Sequence, residues 1–400
     1  MRGVVGTFPR VRVAARIAVI YIVARLVTTG FLLAAAALSG PDSRFGADAT
    51  IGSFIMGWDA EWYSFIAGFG YPSDLPRDDS GTVTTNQWAF MPVYPALARL
   101  VGVPLGGYAA GALVVSLVAG YLACLVLYHL LRARIGRSSA MWAVVFFASG
   151  PLAALFQIGY AESLFLLLLF CALWCVMRRQ YAWLYLLIPV LGFTRPGVLA
   201  FSLFLALFGI WRWLRRRREA LPVVEIVHIV LLGLLAAAVG FAWQLIAGAV
   251  TGDPTAYLET ELSWRRAWTS EDGGFFPFDG FVQASAIWFR LWGLPEWWGY
   301  LALVLGVLAA AALFVFSRHV RALGMELRLW SLSYVVYLLA VFFPQSSLFR
   351  LLVPLSPLWG AVAIPRSPWW RVGVLAACLL GQWWWIYNMF ALANAYYQIP

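Results

Sequence analysis

Residues 108–131, YAAGALVVSLVAGYLACLVLYHLL, followed by RARIGR at 132–137 and SAMWAVVFFASGPLAALFQ at 139–157, decide the fold class. The first run has no Asp, Glu, Lys or Arg, and as a helix it extends roughly 36 Å, enough to cross the hydrocarbon layer of a bilayer. Three arginines then interrupt it, and a second apolar run begins at once. Two membrane spans joined by a tight, basic turn fit that pattern.

Applied along the whole chain, the same length rule gives spans at 15–38, 108–131, 139–157, 162–177, 181–194, 197–214, 226–249, 297–317, 330–343, 350–364 and 371–389. The expectation is an all-α integral membrane protein with about 11 crossings. Composition agrees: 63% of residues are hydrophobic and 12% charged, against about 25% charged in a soluble domain. No polar stretch is long enough to bury a core of its own, so residues 1–400 are expected to form a single membrane domain. Several spans are short and end at Gly, Pro or polar breaks, as at Gly159-Tyr160-Ala161 and Thr194-Arg195-Pro196-Gly197. Breaks of this kind occur where backbone lines a cavity rather than lipid.

The net charge is +10, and every basic residue is arginine. With the amino terminus in the cytoplasm, the even-numbered connections carry Arg132, Arg134 and Arg137, then Arg178 and Arg179, Arg215 to Arg218, Arg318, Arg321 and Arg328, and Arg366 and Arg371. This is the distribution of topology signals, so no nucleic-acid partner is expected. Glu219, Glu225 and Glu326 are the exceptions among 18 acids that otherwise fall on the outer side. The odd number of spans then puts the carboxy terminus outside. Cys124, Cys171, Cys175 and Cys378 lie within apolar runs and read as small buried hydrophobes. His129, His228 and His319 fall at cytoplasmic ends, which leaves external acids and arginines as the carriers of chemistry.

Two external segments, 39–107 and 250–296, exceed simple turns and are expected to carry short interfacial helices. In the first, Trp58, Trp62, Phe65 and Phe69 recur at i, i+4, i+7 and i+11, one apolar stripe of an amphipathic helix. At about 100° per residue, Glu61 is turned roughly 200° from Asp59, so one carboxylate points into a cavity while the other faces elsewhere. A second helix is expected near Pro92 to Ala98, and Ser73 to Thr85 reads as a mobile loop.

Asp59 sits between two tryptophans at a helix start, where a carboxylate is favoured by the dipole alone; the sharper reading is a general base with aromatic walls, including Trp58 and Tyr63, suited to a sugar. Glu162, which opens a span, has the same two readings. Arg195 and Arg350 stand at outer ends of spans, where a guanidinium grips a phosphate bidentately. Arg25 lies near mid-membrane, where pairing with a buried acceptor is expected. Arg265 and Arg266 lie beside Trp264 and Trp268, on what reads as a solvated interfacial face.

The stretch Trp58-Asp59-Ala60-Glu61-Trp62-Tyr63, with Ile66-Ala67 and Gly70-Tyr71 after it, resembles the first-loop motif of PIG-V-type mannosyltransferases of the GT-C superfamily. Phe90-Met91-Pro92-Val93-Tyr94-Pro95 is similar to the family's aromatic-Pro-x-Tyr-Pro element. Gly159-Tyr160-Ala161-Glu162-Ser163-Leu164-Phe165, Gly252-Asp253-Pro254 with Trp264-Arg265, and Ser347-Leu348-Phe349-Arg350 through Leu355 follow in the family's order. One departure is that no Asn follows Arg195. The lysine-free, Arg/Ala/Gly/Val-rich usage is that of a GC-rich bacterium, which makes PimE-type enzymes of phosphatidylinositol mannoside synthesis the nearer analogy. The resemblance implies a GT-C-like bundle in a bacterial plasma membrane and a polyprenyl-phosphate-mannose donor. It further implies a glycolipid acceptor and an inverting transfer on the extracytoplasmic side.

On this reading Asp59 is the catalytic acid residue, and Arg350, Arg195 and Arg265 are donor-phosphate ligands. Trp58, Glu61, Tyr63, Tyr94, Glu162 and Trp264 contact sugar or acceptor. No cofactor is expected, and the metal requirement stays open. A transporter or flippase of an anionic lipid-linked sugar is the alternative from another class, since broken helices with intramembrane arginines also suit transport. Single cysteines at Ser80 and Ser270, in a background without the four native thiols, should react with an impermeant reagent on intact cells, whereas one at Ser138 should not. Labelling at Ser138 alone would invert the map.

Overall fold

The computed structural model describes residues 8–266, 268–269, 274–395 and 397–400; residues 1–7, which set the expected cytoplasmic amino terminus, and Ser270 lie outside them. The described residues are mainly helical and form no strand, with a single isolated antiparallel bridge between Arg77 and Val83. Four helices among them are long and apolar enough to cross a membrane: Val11–Leu38, Tyr108–Ala148, Val223–Thr251 and Glu296–Phe316. Shorter apolar helices include Glu162–Met177, Val198–Leu214 and Val353–Val362. Large hydrophobic side chains cover the outward faces, as lipid-facing helices require. The chain divides into two compact units: residues 1–61, 97–174 and 349–400 form one, and residues 62–96 and 175–348 the other.

In the first unit the deciding stretch forms a helix pair, Tyr108–Ala148, that reverses at Gly136, whose φ of 79° only glycine adopts without strain. Its second arm stops at Ala148 rather than running to 157, because Gly150-Pro151 follows and proline cannot continue the hydrogen-bond ladder. Residues 149–161 are therefore irregular apart from the 3₁₀ turn Ala153–Phe156, and their carbonyls need partners. Arg25 supplies them. Its Nη2 donates to Ala148 O at 2.6 Å and its Nη1 to Ala153 O at 2.5 Å, with Gln157 Oε1 at 3.3 Å. Ser116 Oγ donates to Ile158 O, and Ser163 Oγ to Leu155 O. The buried acceptor expected for the mid-membrane arginine is thus the end of a broken helix.

The core of this unit packs Leu32, Phe54, Ala60, Leu155, Trp385 and Phe390. The expected span 350–364 consists of Leu348–Leu351, a 3₁₀ segment Val353–Leu358 containing Pro357, and Trp359–Val362. Pro354 and Pro357 break the ladder there. The last helix, Pro368–Ile386, passes into a π-helical turn at Tyr387–Leu392.

In the second unit Val198–Leu214 packs along Val223–Thr251, and the buried Glu225 accepts from Arg212 Nε at 3.1 Å and from Tyr181 Oη at 2.9 Å. The segment 250–296 carries the helices Ala256–Arg266 and Asp279–Leu291. Residues 73–85, expected to be mobile, form a closed turn. Asp78 N donates to Thr82 O, the Asp78 carboxylate accepts from Ser80 and Thr82, and Arg266 Nη2 reaches Val83 O at 2.7 Å. The side chains that mark this stretch as a loop also tie an Asx turn within it.

Gly159 lets the irregular strip lie against the first-loop turn: its N–H donates to Ile55 O at 2.9 Å, and a Cβ there would stand 3.0 Å from that oxygen and 3.2 Å from Ala60 Cβ. Gly159→Val should therefore lower stability by about 1–3 kcal/mol through overpacking. Gly30→Ala, in open space on the first helix, should be neutral or stabilising. Thermal unfolding of both variants in detergent measures the difference.

Candidate active site

Two helix starts and one arginine build the site, all within the first unit. Asp59 is the first residue of the helix Asp59–Phe69, and Glu162 the first of Glu162–Met177. Each carboxylate therefore stands at the positive end of a helix dipole. Arg350, in the short helix Leu348–Leu351, lies between them. Its Nη1 donates to Asp59 Oδ2, and its Nε is 3.4 Å from Glu162 Oε1. The guanidinium also lies 5.1 Å from the ring centre of Tyr160. Tyr160 is fully buried, and burial first, then the charge of Asp59, pushes its hydroxyl well above the ordinary phenol range.

The exposures rank the three charges: Glu162 is 4% exposed, Arg350 12% and Asp59 22%. Asp59 is the carboxylate that an incoming molecule can reach. Glu162 serves as the buried counter-charge, which a guanidinium this far from water requires.

A cavity of about 490 Å³ lies in the same unit, with Phe147, Phe156, Phe349, Leu352, Trp359 and Trp384 among its walls. Ser356 is the one hydroxyl-bearing residue lining it. Phe349, one of its walls, directly precedes Arg350 in the chain.

Glu61 points away from Asp59, as the helical projection requires. It pairs with Arg44 at 2.9 Å on the surface, and the Arg44 guanidinium lies 4.6 Å from the ring centre of Trp58. Phe65 and Phe69 of the expected stripe are exposed. Trp58 has a backbone φ of 57°, a left-handed conformation that costs an L-residue about 1–2 kcal/mol. Its Nε1 donates to Met389 O at 3.0 Å.

The other sequence-derived candidates belong to the second unit. Tyr63 and Tyr94 are buried, their ring centres 5.1 Å apart, and Phe90 packs edge-on to Tyr63 at 5.3 Å. Trp264 meets Trp62 and Phe90 edge-on. Arg265 is not on a solvated face: it is buried, donates to Asp279 Oδ2 at 2.8 Å and Gln283 Oε1 at 2.5 Å, and lies over Phe343. Arg266 pairs with Glu259. Arg195 is buried between Leu184–Gly192 and Val198–Leu214.

Residue-by-residue reading missed Tyr160, although it directly precedes Ala161-Glu162 at a helix break. Nor did it foresee that Arg350, expected at the outer lip of a span, pairs with Asp59. Among the described residues no three His, Cys, Asp or Glu side chains converge as a metal site.

No family model matches the chain, and no curated protein matches it. Among solved structures, it is similar to ArnT from Cupriavidus metallidurans bound to undecaprenyl phosphate, at 16% identity and a TM-score of 0.47 over 91% of this chain and 62% of that one. It is also similar to the oligosaccharyltransferase AglB from Archaeoglobus fulgidus in complex with an inhibitory peptide and a dolichol phosphate, at 14% identity and a TM-score of 0.44 over 96% of this chain and 56% of that one. This chain thus spans less than two thirds of either, and a likeness of this size assigns neither an activity nor a residue to it.

Proposed function

We propose that the protein is a GT-C-type glycosyltransferase that moves mannose from a polyprenyl-phosphate-mannose donor to a glycolipid acceptor, such as a phosphatidylinositol mannoside, on the extracytoplasmic side. The observation that carries the reading is the reachable Asp59 carboxylate held on Arg350; the same unit also holds an apolar cavity of a size suited to part of a lipid tail. The ordered sequence motifs supply the sugar and the acceptor class.

In this mechanism the donor phosphate takes the Arg350 guanidinium bidentately, and Asp59 is released to act as the base. Asp59 accepts the proton of the acceptor hydroxyl, whose oxygen bonds to C1 as the C1–O bond to phosphate breaks. The bonding pair leaves with the polyprenyl phosphate. Displacement at a β-mannosyl phosphate gives an α-mannoside. The leaving group is already anionic, so it needs charge stabilisation rather than a proton, and Arg350 supplies it. Glu162 keeps Arg350 in place once Asp59 lets go.

Purified protein supplied with radiolabelled polyprenyl-phosphate mannose and a membrane lipid extract should form labelled glycolipid. Asp59→Asn should lower turnover by roughly 10²–10⁴ with normal insertion, the usual weight of a general base, while Glu61→Gln keeps substantial activity. Near wild-type turnover in Asp59→Asn would remove the base.

Arg350 separates two roles in the same assay. Lysine keeps the charge and loses the planar fork, so Arg350→Lys should weaken donor binding about tenfold and Arg350→Ala further. Unchanged donor kinetics in Arg350→Ala would take this residue out of the site.

A further inference from the structure

We propose that Trp58 is a positioning residue: its indole, locked to the Met389 carbonyl and covered by Arg44, holds the first-loop turn in the left-handed conformation that aims Asp59 at Arg350. The catalytic consequence rests on the proposed transferase reading; the clamp itself does not.

The starting point is the backbone. Left-handed φ is ordinary for glycine and a genuine outlier for a bulky side chain, and such outliers persist only where surrounding contacts over-determine them. Here they do. The Trp58 N–H group of the ring is spent on Met389 O at 3.0 Å. One face lies under the Arg44 guanidinium at 4.6 Å, and Phe45 meets the ring edge-on at 6.2 Å. Arg44 is itself held at both ends, by Glu61 at 2.9 Å and through its backbone N–H to Ala393 O at 3.4 Å.

Met389 belongs to the π-helical turn Tyr387–Leu392, a rare conformation frequent at functional sites. That turn is closed by Ala393, with φ of 40° and its N–H on Asn388 O at 3.0 Å. Two uncommon backbone conformations, 331 positions apart, are therefore tied by one side-chain hydrogen bond. The helix that presents Asp59 begins at the very next residue, with Glu61 N–H donating to Trp58 O at 3.0 Å. A sugar stacks on an open ring face. Trp58 has committed its N–H and one face to its own chain.

The test compares Trp58→Phe, which keeps a ring and loses the N–H, with Trp58→Gly, which tolerates the left-handed backbone and loses the anchor. If Trp58 positions Asp59, kcat falls about tenfold in Trp58→Phe and about a hundredfold in Trp58→Gly, as a misplacement of about 1 Å allows. KM for donor and acceptor stays within about twofold of wild type. Arg44→Gln should add little in the Trp58→Gly background, since both act through one clamp.

A rise in KM at unchanged kcat in Trp58→Gly would overturn the proposal and make the indole a substrate wall. Hydrogen exchange of residues 57–61 gives a readout that needs no activity. It should quicken in both Trp58 variants, and unchanged exchange would overturn the clamp even if the wild-type protein transfers no sugar. Wild-type protein that is inert in the labelled-mannose assay, yet shows the exchange change, would overturn the transferase reading alone.

Discussion

The structure of the first unit turns on one part-buried ion pair, Arg350 with Asp59, whose members are 291 positions apart, backed by Glu162. A guanidinium in an apolar surrounding is tolerated only when paired, because a stranded charge there is costly. The three residues therefore constrain each other. Each is delivered by a helix start or a short helix rather than from mid-helix, because only there does the backbone bend enough to bring charges from separate spans together.

Bending has its own cost inside a membrane, where freed carbonyl and amide groups find no water. The irregular strip 149–161 shows how the cost is met. Arg25, Ser116 and Ser163 take the carbonyls, Ile55 O accepts the Gly159 amide, and Gly159 leaves room for the close approach. A buried arginine that looks like a second functional cation is thus a cap on a broken helix. The same economy is seen in Arg212 with Glu225, and in Arg265 with Asp279. These buried arginines are neutralised within the protein, and the partner of Arg350, Asp59, remains reachable.

Much of the architecture was legible from residues alone. Apolar run lengths gave the helices, and the i, i+4, i+7, i+11 spacing of Trp58, Trp62, Phe65 and Phe69 gave the first-loop helix and turned Glu61 away from Asp59. Helix ends were legible where Pro or Gly marks them and overextended where they were judged by hydropathy, as at 139–157. The internal bonds of the 73–85 turn were not legible, because they depend on which polar side chain folds back on its own backbone.

The sequence by itself determined which residues are dear to bury, and so which are candidates: Asp59, Glu162, Arg195, Arg265 and Arg350 announce themselves because a charge in or beside an apolar run demands a reason. It determined helical periodicity, since neighbouring positions set it. Only the tertiary structure decided who meets whom. Asp59, Tyr160, Glu162 and Arg350 come from three distant stretches, and Trp58 is fixed by a carbonyl near the far end of the chain; such contacts depend on how helices pack and where they break, which local pattern does not encode.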